Sequence, residues 1–320
     1  MNPDVVKAIP ELVRGGVLPP TKAPVLLRVA RGELLSVHGE LRALLYAGVL
    51  LLTGGVGLLV KENLDRIGPL TIAVGIGLAA AAALAWVIAK APPFSWGPVP
   101  SPNLAFDYML LLGVLLAGAD LAYIEVTFTP LGAHWAWHLL IMALLTGLAA
   151  FRFDSRVVFS LSLSTFAAWR GVSVAFFGAT LLNEESAVRW NAIGCGVLFV
   201  VCGWVLARTG RKAHFEPVAA NLGWLLVLGG IGSGMLASGN AGLAWSGALL
   251  LVGAGLAAGA FRARRFPLFA YGVLAAYAGL SYLVVDGLDL EMMGCFWFSI
   301  TSLLLILGLL FAQRRMRILS

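Results

Sequence analysis

The chain has 320 residues, of which 60% are hydrophobic and 12% charged, and its mean hydropathy is +0.92. Soluble domains carry about a quarter charged residues, so this composition excludes a soluble globular protein. The net charge of +6 comes from short basic clusters at the ends of apolar runs, which is typical of orientation in a membrane and not of nucleic-acid binding. We therefore expect an integral membrane protein whose surroundings are the lipid bilayer and which binds no nucleic acid.

The first 38 residues predict a small cytoplasmic helical region. Apolar residues recur at helical spacing over residues 3–15, and a second amphipathic stretch covers about residues 23–37 after a break at Pro19 and Pro20. The segment lacks the layout of a secretory signal. We expect residues 1–38 to form a hairpin of short helices beside a transmembrane helical domain over residues 39–320. Two roles stay open for this hairpin, a cap at the lipid headgroups and a docking site for a cytoplasmic protein.

After residue 40, apolar runs of roughly 18 to 25 residues follow one another along the chain, each long enough for a hydrocarbon core of about 30 Å. They predict an all-α, polytopic transmembrane helical bundle of about ten spans. The fifth run is so long that a tilt or a break is expected at Arg170-Gly171. The expected spans cover residues 41–60, 70–89, two helices within 104–151, 157–182, 190–207, 218–236, 243–260, 268–285 and 292–312.

Basic residues predict how these spans are oriented. Every even-numbered span ends in a basic cluster, as alternating spans with both termini in the cytoplasm require. The expected cytoplasmic clusters contain Lys90, Arg152, Arg156, Arg208, Arg211, Lys212, Arg262, Arg264, Arg265, Arg314, Arg315 and Arg317, in addition to those of the N-terminal region. The opposite side keeps Lys61, Arg66 and Arg189. We therefore expect both termini on the cytoplasmic side.

The hairpin of residues 104–151 carries the polar side chains that are the best functional candidates, because ionisable groups inside a membrane are costly. At a rise of 1.5 Å per residue, Asp120 lies roughly 24 Å above the start of its span, and Arg170 roughly 21 Å above Arg156. We expect Asp120 and Arg170 to pair, with His138 beside Asp120. The predicted polar intramembrane layer, in the outer third of the membrane, consists of Asp120, Glu125, His134, His138 and Arg170.

Three interpretations of this layer stay open: a structural network, a proton or ion pathway through Asp120 or His138, and a metal or haem site. The last is the weakest, because His134 and His138, spaced four residues apart on one helix face, are a poor ligand signal without a HExxH or CxxC element. We expect no cofactor. The sequence also lacks the usual nucleophile-elbow, zinc-protease and nucleotide-loop motifs, so an enzyme is less favoured than a non-enzymatic protein.

Two clusters of glycines, which include two Gly-xxx-Gly spacings, predict close helix packing in the seventh and eighth spans, and they also allow a homo-oligomer to form through these spans. They are Gly229, Gly230, Gly232 and Gly234 in the seventh span and Gly253, Gly255 and Gly259 in the eighth.

Parts of the first half resemble a known family. The matching stretches read IPELVRGGVL at residues 9–18, LLTGGVGLLV at residues 51–60 leading into Glu62-Asn63-Leu64-Asp65, and LLLG with Gly118-Ala119-Asp120 in the third span. They resemble the bacterial predicted membrane proteins grouped as domain of unknown function 2157. Leu64 and the run Glu125-Val126-Thr127-Phe128 depart from the family pattern. The resemblance implies the class and topology of a multi-pass membrane protein, and it carries no established activity.

We therefore expect a protein of the bacterial cytoplasmic (inner) membrane. The leading functional hypothesis is a transporter or channel-like protein for a small solute or ion that uses the polar layer. The alternative is a non-transporting scaffold or sensor that recruits a partner through its N-terminal helices.

Overall fold

The computed structural model describes residues 3–16, 19, 22–30, 43–55, 58, 68–171, 186–235, 240–285 and 294–318, and this described part is all-α. The chain divides into two compact units, Met1–Ile67 and Gly68–Ser320. The predicted domain boundary between residues 38 and 39 lies outside the described residues and stays a prediction.

The first unit contains three helices: α1 (Pro3–Arg14), α2 (Ala23–Ala30) and the apolar α3 (Ala43–Gly55). Helices α1 and α2 pack against each other. The chain leaves α1 through Gly16, whose φ of +71° lies in the left-handed region that glycine adopts without strain. Both short helices lie within the two segments in which the sequence predicts them.

The second unit contains nine described α-helices. They are α4 (Pro69–Lys90), α5 (Leu104–Phe128), α6 (Trp137–Phe153), α7 (Arg156–Trp169), α8 (Ser186–Thr209), α9 (Glu216–Gly234), α10 (Asn240–Arg262), α11 (Phe266–Val285) and α12 (Gly294–Ile318). Within the described residues, six helices are long and apolar enough to cross a membrane, namely α4, α5, α8, α9, α10 and α11. Helices α3 and α6 and the Thr301–Arg314 part of α12 are shorter apolar helices. The chain is thus a multi-pass membrane protein.

Helix α7 is shorter than the span predicted for residues 157–182. It ends at Trp169, and Gly171 follows with φ of +76°, so the helix ends where the sequence predicts a tilt or a break. The remainder of that predicted span, residues 172–182, lies outside the described residues.

Consecutive helices of the second unit pack in pairs, α4 with α5, α6 with α7, α8 with α9 and α10 with α11. Short connections make such neighbours antiparallel. Between α6 and α7 the chain reverses through Asp154, which has a left-handed φ of +61°, and Ser155, whose side chain caps α7 by accepting from the Val158 N–H at 3.4 Å. Three residues join α10 to α11, and Arg264 among them has φ of +55°.

An aromatic core joins α5, α6, α7 and α9 near the connection between α8 and α9. Phe106 and Phe215 are fully buried, and the Phe215 ring stacks on Phe159 at a centroid distance of 4.7 Å. Phe151 meets both rings edge-on. Buried aromatic pairs of this kind contribute packing energy beyond their buried area.

In each of two hairpins, glycines bring the backbones of the paired helices into direct contact. A Cβ added to Gly223 of α9 would lie 2.7 Å from the Gly196 carbonyl oxygen of α8, and a Cβ on Gly272 of α11 would lie 2.5 Å from the Ala257 backbone nitrogen of α10. Small residues allow this close approach, which drives helix association in lipid. Gly255 and Gly259 differ, because no described atom lies within 4 Å of their Cβ positions.

Replacing Gly223 by alanine is expected to destabilise the α8–α9 hairpin, because the new methyl group would overlap the Gly196 carbonyl. Overpacking of this kind costs roughly 1–3 kcal/mol. The readout is the thermal unfolding temperature of the detergent-purified protein. Gly194→Ala is the matched control, since Gly194 lies on the same pair of helices with nothing within 4 Å of its Cβ position. Equal unfolding temperatures for the two variants would refute close packing at Gly223.

Candidate functional site

Asp120 lies on the face of α5 that packs against α4. A Cβ on Gly77 of α4 would lie 2.9 Å from the Asp120 Oδ2, so glycine is needed there for the carboxylate to approach the helix. The carboxylate borders a cavity of about 480 Å³ between the two helices, together with apolar side chains such as Val74 and Phe128. Its Oδ1 is buried and accepts no hydrogen bond from the described residues. Burying an unpaired charge costs free energy, and a proton or a cation at this oxygen would remove that cost.

Glu125 lies five residues further along α5 and is only 5% exposed. Its Oε2 accepts a hydrogen bond from the Leu131 N–H at 3.3 Å, whereas its Oε1 has no partner among the described residues. The hydroxyl of Tyr123, between the two carboxylates, is also buried without a described partner. Most buried polar atoms in proteins are hydrogen-bonded. The C-terminal half of α5 therefore concentrates three polar atoms that need a proton, an ion or water.

The two histidines do not share a helix face, and that prediction is wrong. His134 is exposed and lies in a 3-10 turn, Gly132–His134, whereas His138 is the second residue of α6. Left-handed φ angles at Thr129 and Gly132 create this irregular connection, so α6 begins later than the apolar pattern implies. The His138 Nδ1 is hydrogen-bonded to the Trp135 carbonyl of the same connection. In the described part of the chain, no group of three or more histidine, cysteine or acidic residues is placed to hold a metal ion.

Asp120 and His138 lie in different turns of the two helices. About 12 Å of helix separates Asp120 from the end of α5, whereas His138 lies in the first turn of α6. The expected side-by-side placement of Asp120 and His138 stays a prediction.

Arg170 follows α7 as its capping residue and bonds to α8 instead of α5. Its Nη2 donates to the Asn191 Oδ1 at 2.6 Å, and the Asn191 Nδ2 donates back to the Arg170 carbonyl at 3.2 Å. The guanidinium also lies 5.5 Å from the centroid of the Trp169 ring. The structure thus brings Arg170 to Asn191 and not to Asp120, and a common polar layer of all five residues stays a prediction.

A buried charged cluster, which sequence reasoning missed, joins three connections at one end of the bundle. The Asp154 Oδ1 accepts from the Lys212 Nζ at 2.8 Å and contacts the His214 Nε2 at 2.6 Å. The Asp154 Oδ2 accepts from the backbone N–H of Val99. Lys212 is fully buried and has a left-handed φ of +50°. We call Asp154, Lys212 and His214 the Asp154 cluster.

The Asp154 cluster fixes the proline-rich connection between α4 and α5. The Lys212 N–H donates to the Trp96 carbonyl at 2.7 Å, and the Lys212 Nζ lies 5.3 Å from the centroid of the Phe94 ring. Arg152 donates to the Pro92 carbonyl at 3.1 Å. Sequence analysis assigned Lys212 and Arg152 to membrane orientation alone. The available signal was Asp154 itself, an acidic residue inside a basic connection.

The comparisons with known proteins agree with the expected class. A model of the family described as "Predicted membrane protein (DUF2157)" matches residues 10–159. Residues 10–159 are therefore similar to this family. The resemblance predicted from the sequence is thus confirmed over this segment, which contains α4, α5, α6 and the two carboxylates of α5. No curated protein and no solved structure gives a significant match to the chain.

The Asp154 cluster joins the end of the DUF2157 segment to residues beyond it, because Lys212 and His214 follow the matched region. Burial opposes ionisation of the Asp154 carboxyl, but the hydrogen bonds from Lys212 and Val99 and the charges of His214 and Lys212 outweigh it. Together they hold the pKa of Asp154 below its usual range. The carboxylate is therefore ionised at neutral pH and stabilises the folded chain.

Arg189, which the sequence analysis placed on the outer side, lies in α8 and is buried. It follows the DUF2157 segment in the chain. Its Nε donates to the Ser233 Oγ of α9 at 3.4 Å, and its guanidinium lies 5.3 Å from the Trp245 ring of α10. This side chain joins three helices at the end of the bundle opposite the Asp154 cluster.

Asp154→Asn is expected to cost about 3–5 kcal/mol at neutral pH, because it leaves the buried Lys212 without its counter-ion. The folded pKa of Asp154 is depressed, so its stabilisation is complete above the unfolded pKa of about 3.9 and is lost as the pH falls below that value. Unfolding temperatures between pH 7 and pH 3 provide the measurement. Wild type should lose stability on acidification more steeply than the variant, and the exposed Glu11→Gln should behave as wild type. Parallel curves for Asp154→Asn and wild type would refute the role of this carboxylate.

Proposed function

We propose that this protein is a transporter or channel-like protein for a small solute or ion, and that the two carboxylates of α5 carry a proton or cation during its cycle. One observation supports the proposal. Asp120 and Glu125 lie on a helix long and apolar enough to cross a membrane, and each has a buried oxygen without a partner in the described residues.

The physical argument starts from the cost of burying a charge. A carboxylate in an apolar environment either takes up a proton or binds a cation, because the unpaired anion loses most of its solvation energy. Asp120 and Glu125 are five residues apart, which is about 7.5 Å along α5, and the unpartnered hydroxyl of Tyr123 lies between them in the chain. Asp120 also borders the cavity between α4 and α5, which gives a ligand or water a place to reach the carboxylate.

This proposal narrows the polar layer expected from the sequence. Arg170 is bonded to Asn191, His138 to the backbone of Trp135, and His134 is exposed, so these three side chains have local roles. Asp120 and Glu125 retain unsatisfied oxygens and remain the functional candidates.

The proposed topology is a ten-span bundle in the bacterial inner membrane with both termini in the cytoplasm. The described helices support it, because they follow the expected spans in chain order and six of them have full spanning length. The alternation of basic clusters along the sequence supplies the orientation. The Asp154 cluster then lies at the cytoplasmic end and the C-terminal end of α5 towards the outer surface.

Asp120→Asn is expected to reduce proton flux to the level of protein-free liposomes, because the amide cannot take up or release a proton at physiological pH. Flux is measured as the fluorescence change of a pH-sensitive dye inside proteoliposomes under an imposed membrane potential. Asp107→Asn is the control, since Asp107 lies in the first turn of the same helix. Wild-type flux in Asp120→Asn, or no flux from wild type above protein-free liposomes, would contradict proton transport.

A second candidate function is a scaffold or sensor that recruits a cytoplasmic protein through its N-terminal helices. Residues 1–67 form a compact unit of their own, and Leu12, Val25 and Leu26 on its short helices are exposed. Exposed apolar side chains on short helices favour contact with lipid or with a protein.

Removal of residues 1–36 distinguishes the two functions. A transporter should retain its proton flux without these residues, because both carboxylates lie in the other unit. The measurements are flux in proteoliposomes and the protein composition of the purified complex. Absence of flux in both forms, together with loss of a stoichiometric co-purifying protein on truncation, would favour the scaffold.

A further inference from the structure

A second and larger cavity lies away from the carboxylates, among α7, α8, α9, α10 and α11. Its volume is about 730 Å³, which is within the usual range of roughly 300–1,000 Å³ for ligand pockets. The lining is apolar apart from Tyr271 and Ser164, and no charged residue of the described chain contributes to it. Phe199 of α8, Leu226 of α9 and Leu249 of α10 are representative of the walls. Such a lining excludes ions and sugars and fits a hydrocarbon.

The depth of the cavity places it inside the hydrocarbon core. Leu222 lies six residues after the start of α9, and Leu249 thirteen residues before the end of α10. These two helix ends lie at the same end of the bundle, so the cavity lies about 9 to 20 Å from that end. A hydrocarbon core is about 30 Å thick, and acyl chains are therefore the surrounding medium.

Lipid can reach the cavity from the side. Leu225 of α9 and Leu274 of α11 line it and remain 45% and 46% exposed, so the cavity is continuous with the outer surface of the bundle. Small side chains at Ala275 and Ala278 of α11 leave the space unfilled. An unfilled space of this size forfeits dispersion contacts along all of its walls, which a hydrocarbon occupant restores.

Tyr271 supplies the polar contact for such an occupant. It is one of the two polar residues of the cavity lining, and it forms no hydrogen bond with the described residues. A phenolic O–H in an apolar environment requires an acceptor. Tyr271 lies about 7.5 Å along α11 from its first residue, on the side of the cavity that is nearest to this end of the bundle.

A basic group is present where a headgroup would lie. Arg262 is exposed in the last turn of α10, and Arg265 directly precedes α11. An anionic phosphate at this end of the bundle is attracted by such a basic turn. From this end of the bundle inwards, the order is Arg262, Tyr271 and the apolar cavity. A phospholipid has its phosphate, ester group and acyl chain in the same order.

We propose that this cavity binds one acyl chain of an anionic phospholipid, whose ester carbonyl accepts a hydrogen bond from the Tyr271 hydroxyl. The occupant is a single lipid held between α9 and α11, in contrast to the mobile lipids around the bundle. This site is independent of the carboxylates of α5 and of the proposed transport function.

The test uses the delipidated full-length protein in detergent, titrated with dioleoyl phosphatidylglycerol and followed by native mass spectrometry. Wild type should form a one-to-one adduct. Ala278→Phe should bind at least about tenfold more weakly, because the ring fills the cavity, whereas Ala258→Phe on the exposed face of α10 should bind as wild type. Equal binding by the two phenylalanine variants, or no one-to-one adduct with wild type, would overturn the site.

The contact with Tyr271 has its own test, which does not depend on how Ala278→Phe folds. Tyr271→Phe should bind the ester lipid about fivefold more weakly, the loss expected for one hydrogen bond. Wild type should show the same loss with an ether-linked phosphatidylglycerol, which lacks the carbonyl, and the variant should not distinguish the two lipids. Equal binding of ester and ether lipids by wild type would overturn the hydrogen bond.

Discussion

Lys212 is fully buried, and a buried ammonium group is tolerated only beside a counter-ion, so the fold at this end of the bundle depends on the Asp154 carboxylate. The Asp154 carboxylate also connects separate parts of the chain. Asp154 lies between α6 and α7, Lys212 between α8 and α9, and the backbone groups of Val99 and Trp96 belong to the connection between α4 and α5. Three hairpins are therefore held in register by one carboxylate.

The helical segments were largely predictable because lipid imposes a simple rule. Every backbone polar group must be bonded within its own helix, so length and hydropathy alone locate the spans. The break after Trp169 was also predictable, because Arg170-Gly171 interrupts an apolar run that is too long for one helix. Hydropathy does not reveal which helices are neighbours. It gave Asp120 and Arg170 similar depths but could not show that Asp120 faces α4 and Arg170 faces α8.

The candidate site was harder to predict, because its details depend on local backbone geometry. The irregular turn after Thr129 separates His134 from α6 and places His138 near the helix start. Burial of Lys212 was unexpected for a related reason, since a basic residue between spans is normally solvated at the membrane surface. By contrast, Asp120 and Glu125 were predictable as candidates from their residue type within an apolar helix, and the structure adds that each keeps an unsatisfied oxygen.

The two proposed sites belong to different helix pairs, and the Asp154 cluster connects the pairs. The carboxylates lie on the α4–α5 pair, whose connecting segment is bonded to Lys212, while Lys212 itself precedes α9, a wall of the apolar cavity. The α8–α9 pair is packed backbone to backbone at Gly196 and Gly223, so it moves as a unit if it moves at all. The Lys212 backbone thus bonds the segment before α5 to the residues that lead into α9. Separating Lys212 from Asp154 would leave an uncompensated buried charge, so this ion pair holds the connection before α9 against the α6–α7 connection.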